Sequence, residues 1–385
     1  VRLCCWTGVR LMSSAKKLLE AAAGNAGGGS TDVSDVFSTY LYTGTNATQT
    51  ITNGIDLDGE GGLVWIKDRG QAADHQLLDS EQGFRYILES NNTDARFDFG
   101  ANIITPSTSG FALSSSSRVN GNSYTYASWT FRKAPKFFDV VTYTGNGASG
   151  RLIDHNLGSA PGMVTIKSTS TSGTNWSTYH RGLTANNYVI LNTAAAQAGN
   201  GFDRTVSSTQ YELGPNWADE NQNGRTYVAY FFAHNNNDGE FGPDADQDII
   251  KCGSYTGTGN GSTSGPIINL GWEPQWVLLK SKSHTGNWFL FDTMRGIVTG
   301  GKDPILYPDA SAEEEPNYDC LDVNATGFQV TYSGTPMNGN NETYIYMAIR
   351  APMITPPAAA TDVFAMGTSA SSTAQAASPP VQYYA

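Results

Sequence analysis

Three times along the chain a short apolar run ends in lysine: Leu63-Val64-Trp65-Ile66-Lys67, Met163-Val164-Thr165-Ile166-Lys167 and Trp276-Val277-Leu278-Leu279-Lys280. β-Branched and large residues dominate each copy, which predicts a central strand buried on at least one face. Each lysine follows a Tyr-Thr-Gly (Tyr42, Tyr143, Tyr255) by 25, 24 and 25 residues. Each precedes an aromatic strand, opening at Tyr126, Tyr227 and Tyr344, by 59, 60 and 64 residues. Three anchors kept in register three times define an internal repeat. Successive Tyr-Thr-Gly anchors stand 101 and 112 residues apart, far beyond the roughly 20–50 residues of stacking repeats. The repeat therefore reads as a domain large enough for its own core. Inside each copy, short alternating segments broken by Gly, Asn and Ser replace any long 3.6-residue periodicity. The expectation is an all-β chain of three tandem antiparallel β-sandwiches with a short N-terminal helix.

The predicted layout is a leader, helix and Gly-rich linker over 1–34, sandwich repeats over 35–136, 137–248 and 249–352, and a Pro/Ala/Ser-rich tail over 353–385. The helix is expected at Ser13–Ala23, with Gly24 as its stop and Gly27-Gly28-Gly29-Ser30 as a joint. About eleven residues are marginal as a lone helix, so this segment should fray or dock as a peg or oligomer contact. Met12 reads as a start and residues 1–11 as an over-extended or fragmentary reading frame. In the tail, Thr361-Asp362-Val363-Phe364 echoes Thr31-Asp32-Val33 and Val36-Phe37, as if a further module began there. Repeats one and three end in Arg-Lys-Ala-Pro135 and Arg-Ala-Pro352, where proline stops the strand. Repeat two ends differently, in Ala233-His234-Asn235.

Composition narrows the partners. With 42 glycines and 15% charged residues, the surface is turn-rich and polar without charge, as in extracellular and virion β-proteins. A net charge of −12 argues against nucleic acid, whose phosphates need clustered Lys and Arg. No window approaches the ~18 apolar residues of a membrane span. Cys4, Cys5, Cys252 and Cys320 are too few for a disulfide scaffold, and the last two read as small buried thiols.

Catalytic patterns are thin. Glycoside hydrolysis on a sandwich needs two carboxylates about 5–10 Å apart, and the nearest alternating pair, Asp79 and Glu81, is not reproduced at the matching positions of the other repeats. It reads as a turn with a structural hydrogen bond or salt bridge. Asp219-Glu220 and Glu313-Glu314-Glu315 read as solvated loops. The five histidines are scattered, no Gly-x-Ser-x-Gly follows a strand, and no zinc spacing occurs. No cofactor is expected; calcium is the one metal worth naming, on Asp238, Asp244, Asp246 and Asp248, which offer hard oxygens in an Asn/Asp-rich linker. Sugar binding would use aromatic faces. Trp176 and Trp288 hold matching positions after an Asn, while Trp217 and Trp272 lie in Asn/Gly-rich loops; all four are candidate stacking platforms, with core packing as the competing role.

The leader Ser14-Ala15-Lys16-Lys17-Leu18-Leu19-Glu20-Ala21-Ala22-Ala23-Gly24, the segment Val64-Trp65-Ile66-Lys67, and Ser128-Trp129-Thr130-Phe131-Arg132-Lys133-Ala134-Pro135 running into Tyr143-Thr144-Gly145-Asn146-Gly147 resemble repeated β-sandwich virion proteins of tailed phages, notably marine and cyanobacterial ones. The resemblance covers residues 13–352 and implies concanavalin-like or jelly-roll modules in a tail fibre or surface appendage. It carries over no catalytic residue. The functional expectation is a non-enzymatic adhesion protein of the particle surface, a homo-oligomer joined to other virion proteins through the N-terminal helix and presenting lectin-like modules to host-surface glycans. A structural decoration without a ligand is the first alternative, and a glycan depolymerase the second.

Overall fold

The three lysine-terminated runs are the middle of three equivalent sheets. In the computed structural model, which describes residues 31–199 and 202–352, each repeat lays down an opening strand, a lysine strand, a partner strand and a closing strand. These are Phe37–Thr43, Gly62–Asp68, Gln76–Asp79 and Thr125–Arg132 in repeat one. They recur as Phe138–Thr144, Met163–Ser168, Ser177–His180 and Thr226–Phe232, then as Ile250–Thr256, Pro274–Ser281, Trp288–Asp292 and Thr343–Arg350. In every copy the order across the sheet is opening, closing, lysine, partner, with all neighbours antiparallel. Repeat two extends its sheet by Asn187–Ile190 and Ala198–Gly199. Among the described residues strand occupies 41% and helix 4%, so this part of the chain is mostly β, as expected. The helix expected at 13–23, Cys4, Cys5, Met12 and the tail 353–385 lie outside the described residues.

Alternation along the lysine strand explains why it is apolar on both faces. In repeat one, Val64 and Ile66 point into a local core with Ile51, Ile104 and Phe111, which come from a smaller sheet of 49–52, 110–113 and 104–107. Leu63 and Trp65 point the other way. Repeat three does the same: Val277 and Leu279 meet Ile268, Leu321 and Phe328, while Trp276 and Leu278 turn away. The second faces converge. Leu63, Trp65 and Trp129 of repeat one, Met163, Trp176 and Tyr230 of repeat two, and Trp276, Trp288 and Met347 of repeat three belong to one continuous buried cluster. Repeats one and three therefore share a core as well as owning one, and repeat two lies wholly within the shared cluster, a difference from the expectation that each buries its apolar surface alone. At about 25 cal/mol per Å² of apolar surface, that common face is a large part of what holds the chain folded.

The Tyr-Thr-Gly motif is architectural. Tyr42, Tyr143 and Tyr255 sit directly across from Tyr126, Tyr227 and Tyr344, their rings stacked at 5.1, 5.3 and 5.0 Å. The first three hydroxyls donate to the carbonyls of Val119, Glu220 and Met337 at 2.6–2.7 Å. The second three accept from Gly121, Gln222 and Gly339 N–H and donate to Ser117, Ala218 and Thr335. Each pair thus ties a turn of chain to the sheet edge. The motif's glycine lies under that turn. A Cβ on Gly44, Gly145 or Gly257 would sit 2.2 Å from the carbonyl oxygen of Gly121, Gln222 or Gly339.

One buried asparagine per repeat completes the turn, and the sequence reading did not single it out. Asn120, Asn221 and Asn338 are fully buried. Their Oδ1 atoms accept from Thr45, Asn146 and Thr258 N–H at 2.7–3.1 Å, and their Nδ2 atoms donate to Ala47, Ala148 and Asn260 carbonyls. Gly145→Ala is expected to cost about 1–3 kcal/mol, the usual penalty for forcing atoms into a packed site, whereas Gly70→Ala, with no atom nearer than 3.5 Å, stays within about 0.5 kcal/mol of the parent. Urea midpoints of the two variants check this; equal midpoints would remove the close-approach role of the motif.

Candidate functional site

The matching tryptophans join repeats to one another. Trp176 Nε1 donates to the Glu89 carbonyl of repeat one at 2.9 Å, and Trp288 Nε1 to the Ile190 carbonyl of repeat two at 3.0 Å. His75 holds the same place in repeat one, its Nε2 lying 3.0 Å from the Tyr307 carbonyl of repeat three. The contact therefore closes a ring. Both indoles are buried and have no face to offer a sugar, which corrects the stacking role expected of Trp176 and Trp288. A second ring runs beside the first. Trp129 Nε1 donates to Asp292 at 3.0 Å, Tyr230 OH to Asp79 at 2.8 Å, and His180 Nε2 lies 3.0 Å from the Tyr346 carbonyl.

The lysines that end the apolar runs are buried too. Lys167 Nζ donates to the carbonyls of Thr174 at 2.7 Å and of Thr93, in the preceding repeat, at 3.0 Å. Lys280 reaches Gly286 at 2.8 Å and, again in the preceding repeat, Ala194 at 3.1 Å. Lys67 donates to Asp68 and Gln71 carbonyls. Burial pushes all three ammonium groups down to about 8. Between repeats three and one the polar bridge is instead Arg69 to Glu314 at 2.7 Å, with Arg295 joining Glu314 at 3.2 Å and Asp292 at 2.6 Å.

The acidic candidates are consumed by the fold. Asp79 is fully buried and accepts Glu81, Gln82 and Tyr230 donors; burial raises its pKa, while Glu81 pairs with Lys133 at 2.7 Å. The solvated-loop reading holds for Glu313, which is exposed, and is corrected for Asp219, Glu220 and Glu314. Glu220 is buried against Arg204 at 2.9 Å, Asp219 accepts Asn175 N–H at 2.8 Å, and Glu314 is the bridge just described. In the linker, Asn235 Oδ1 holds Ile249 and Ile250 N–H, Asp248 accepts Asn237 and Gly239 N–H, and Asp238 pairs with Lys136 at 3.2 Å. Asp244 and Asp246 are exposed. Among the described residues no three His, Cys, Asp or Glu side chains gather as metal ligands, so the calcium set of Asp238, Asp244, Asp246 and Asp248 is not assembled. The Asx-type turns of this loop use the oxygens a cation would have needed. Cys252 and Cys320 are free and buried, as expected, and burial pushes both thiols up.

What remains is aromatic and belongs to repeat three. A cleft of about 290 Å³ is walled by Phe289, Tyr307, Tyr318 and Tyr332, with Asn287 and Glu315 at its polar side. Tyr318 is 43% exposed, and its ring stands edge-on to Tyr332 at 5.8 Å. Phe289 and Tyr307 pack edge-on at 5.5 Å, and Tyr307 OH donates to Glu315 at 2.5 Å. Repeat one places Gln76, Glu89 and Ser114 where repeat three has Phe289, Tyr307 and Tyr332, as the shared pairings and the common asparagine contacts show. The sequence signal for this cleft was aromatics that break the repeat. Of the loop tryptophans, Trp272 is buried with no partner for its Nε1 among the described residues. Trp217 is half-buried, its ring 4.5 Å from Tyr188; neither joins the cleft.

One family matches nearly all of the described chain: the domain of unknown function DUF7483, over residues 32–352. The chain belongs to the DUF7483 family. The match runs as one domain through all three repeats, in keeping with the core they share. No curated protein matches this DUF7483 chain.

The buried lysines set a pH dependence. Below about pH 8 both folded and unfolded states hold the proton; between about 8 and the ordinary 10.5 the unfolded state binds a proton that the folded state has released. Folding stability therefore rises with pH across that window, by up to about 1.4 kcal/mol per pH unit per lysine. Lys167→Met is expected to lose one lysine's share of the rise. Urea midpoints at pH 7.5 and 9.5 check it; an unchanged slope in the variant would show that Lys167 titrates normally.

Proposed function

We propose that this chain is a non-catalytic attachment protein on the surface of a tailed-phage particle, in a tail fibre or appendage, and that it binds host-surface glycans. In this reading the repeats 35–136, 137–248 and 249–352 are tandem jelly-roll (concanavalin-like) domains, the segment 13–23 anchors the chain to other virion proteins, and homo-oligomerisation multiplies weak contacts. The aromatic cleft of repeat three carries the proposal. Tyrosine faces suit the apolar face of a pyranose, and Asn287 and Glu315 beside them suit its hydroxyls. A volume of about 290 Å³ is at the lower edge of small-ligand pockets and fits one or two sugar rings. Glu315 is the single carboxylate among the residues lining it, whereas hydrolysis takes two; this favours binding over depolymerisation.

A structural decoration without a ligand is the second reading, and one observation favours it. The residues that recur in all three repeats and were traced above (the tyrosine pairs, the lysines, the asparagines) have partners inside the fold. The two readings separate on a glycan array probed with the full chain. Attachment predicts binding to a subset of bacterial-surface glycans, reduced at least tenfold in Tyr318→Ala and Tyr332→Ala with an unchanged thermal midpoint. An array with no signal, beside normal incorporation of the chain into particles, would leave the decorative role.

A further inference from the structure

The seam between repeats one and two holds a second cavity, of about 440 Å³, unlike the cleft in chemistry. Its repeat-one wall carries Arg96, whose guanidinium lies 3.9 Å above the Tyr86 ring and, among the described residues, makes no hydrogen bond or ion pair. The opposite wall is formed by Thr142, Tyr143 and Thr144 of repeat two. One guanidinium, Arg96, thus lines this opening with no anionic partner among the described residues, in a chain of net charge −12. The hydroxyls of Thr142 and Thr144 stand on the exposed edge of that wall. At the floor, Gln82 is 8% exposed; its Nε2 donates to Asp79 at 2.6 Å, and its Oε1 is buried with no partner. The carboxylate at the rim, Glu81, is taken by Lys133.

A ligand that satisfies this set needs an anion for Arg96 and hydroxyl donors for the orphan Gln82 oxygen and the threonines. A buried acceptor without a partner is costly, so a donor reaching Gln82 gains more than a surface hydrogen bond would. We infer that the seam of repeats one and two is a binding site for an acidic sugar residue, a carboxylate-bearing hexose of a surface polysaccharide. This rests on the glycan reading above but uses other residues and another ligand class than the cleft. Arg is suited to the carboxylate because its planar fork donates to two oxygens at once.

The test is calorimetric titration of the full chain with trigalacturonate, and with maltotriose as the neutral counterpart. Trigalacturonate is expected to bind, to weaken with added salt, and to lose at least tenfold affinity in Arg96→Ala and in Thr142→Glu, which sets a negative charge on an exposed strand residue. Tyr318→Ala should leave trigalacturonate binding unchanged, so failure of the cleft and failure of the seam read separately. Equal affinity in Arg96→Ala with an intact thermal midpoint overturns the proposal, as does the absence of binding. Full displacement by inorganic phosphate at equal concentration would overturn the sugar assignment in favour of a general anion site.

Discussion

The fold depends on a side chain from each repeat reaching a backbone carbonyl of the one before it. Trp176, Trp288 and His75 do this, and because the third partner belongs to the first repeat's neighbour across the ring, no repeat is terminal. A buried carbonyl without a donor is costly, so each of these contacts is required once the apolar faces meet. The shared core supplies the attraction and the ring of donors supplies the register. A sheet buried on both faces must be apolar at successive positions, which is why Leu63-Val64-Trp65-Ile66 shows no alternation in the sequence although it alternates in space.

Much of this was legible in the residues. The repeat, its strands and the all-β class followed from anchor spacing, and the tyrosine pairs fall where those anchors placed them. What escaped was the second face. Nothing in the sequence shows where the closing lysines go, and Lys167 and Lys280 end beneath a neighbouring repeat. Period-two patterns report how many faces are covered but not by what. Burial of Glu220 and pairing of half-buried Glu314 were hidden for the same reason: their partners Arg204 and Arg69 are 16 and 245 residues away, and only the fold brings the latter near.

The candidate site followed the opposite rule. Residues that recur three times turned out to build the frame, as Trp176 and Trp288 show. The cleft is lined by residues with no counterpart in repeat one, such as Tyr332 where repeat one has Ser114. In a threefold internal repeat, positions held in common serve the symmetry, and a ligand site for one small molecule breaks it. The repeated tryptophans mark the frame, and the candidate cleft is marked instead by tyrosines without a counterpart in repeat one.

The bridge from Arg69 to Glu314 spans 245 residues. A chain emerging from the ribosome makes its first apolar wall, with Trp65 and Trp129, long before the segment that covers it exists. Contacts of such sequence separation form slowly, and uncovered surface of this kind invites aggregation in the interval. Synthesis of the last repeat is thus the step at which the first becomes native, and a chain cut short before residue 314 leaves that wall open to whatever apolar surface it meets.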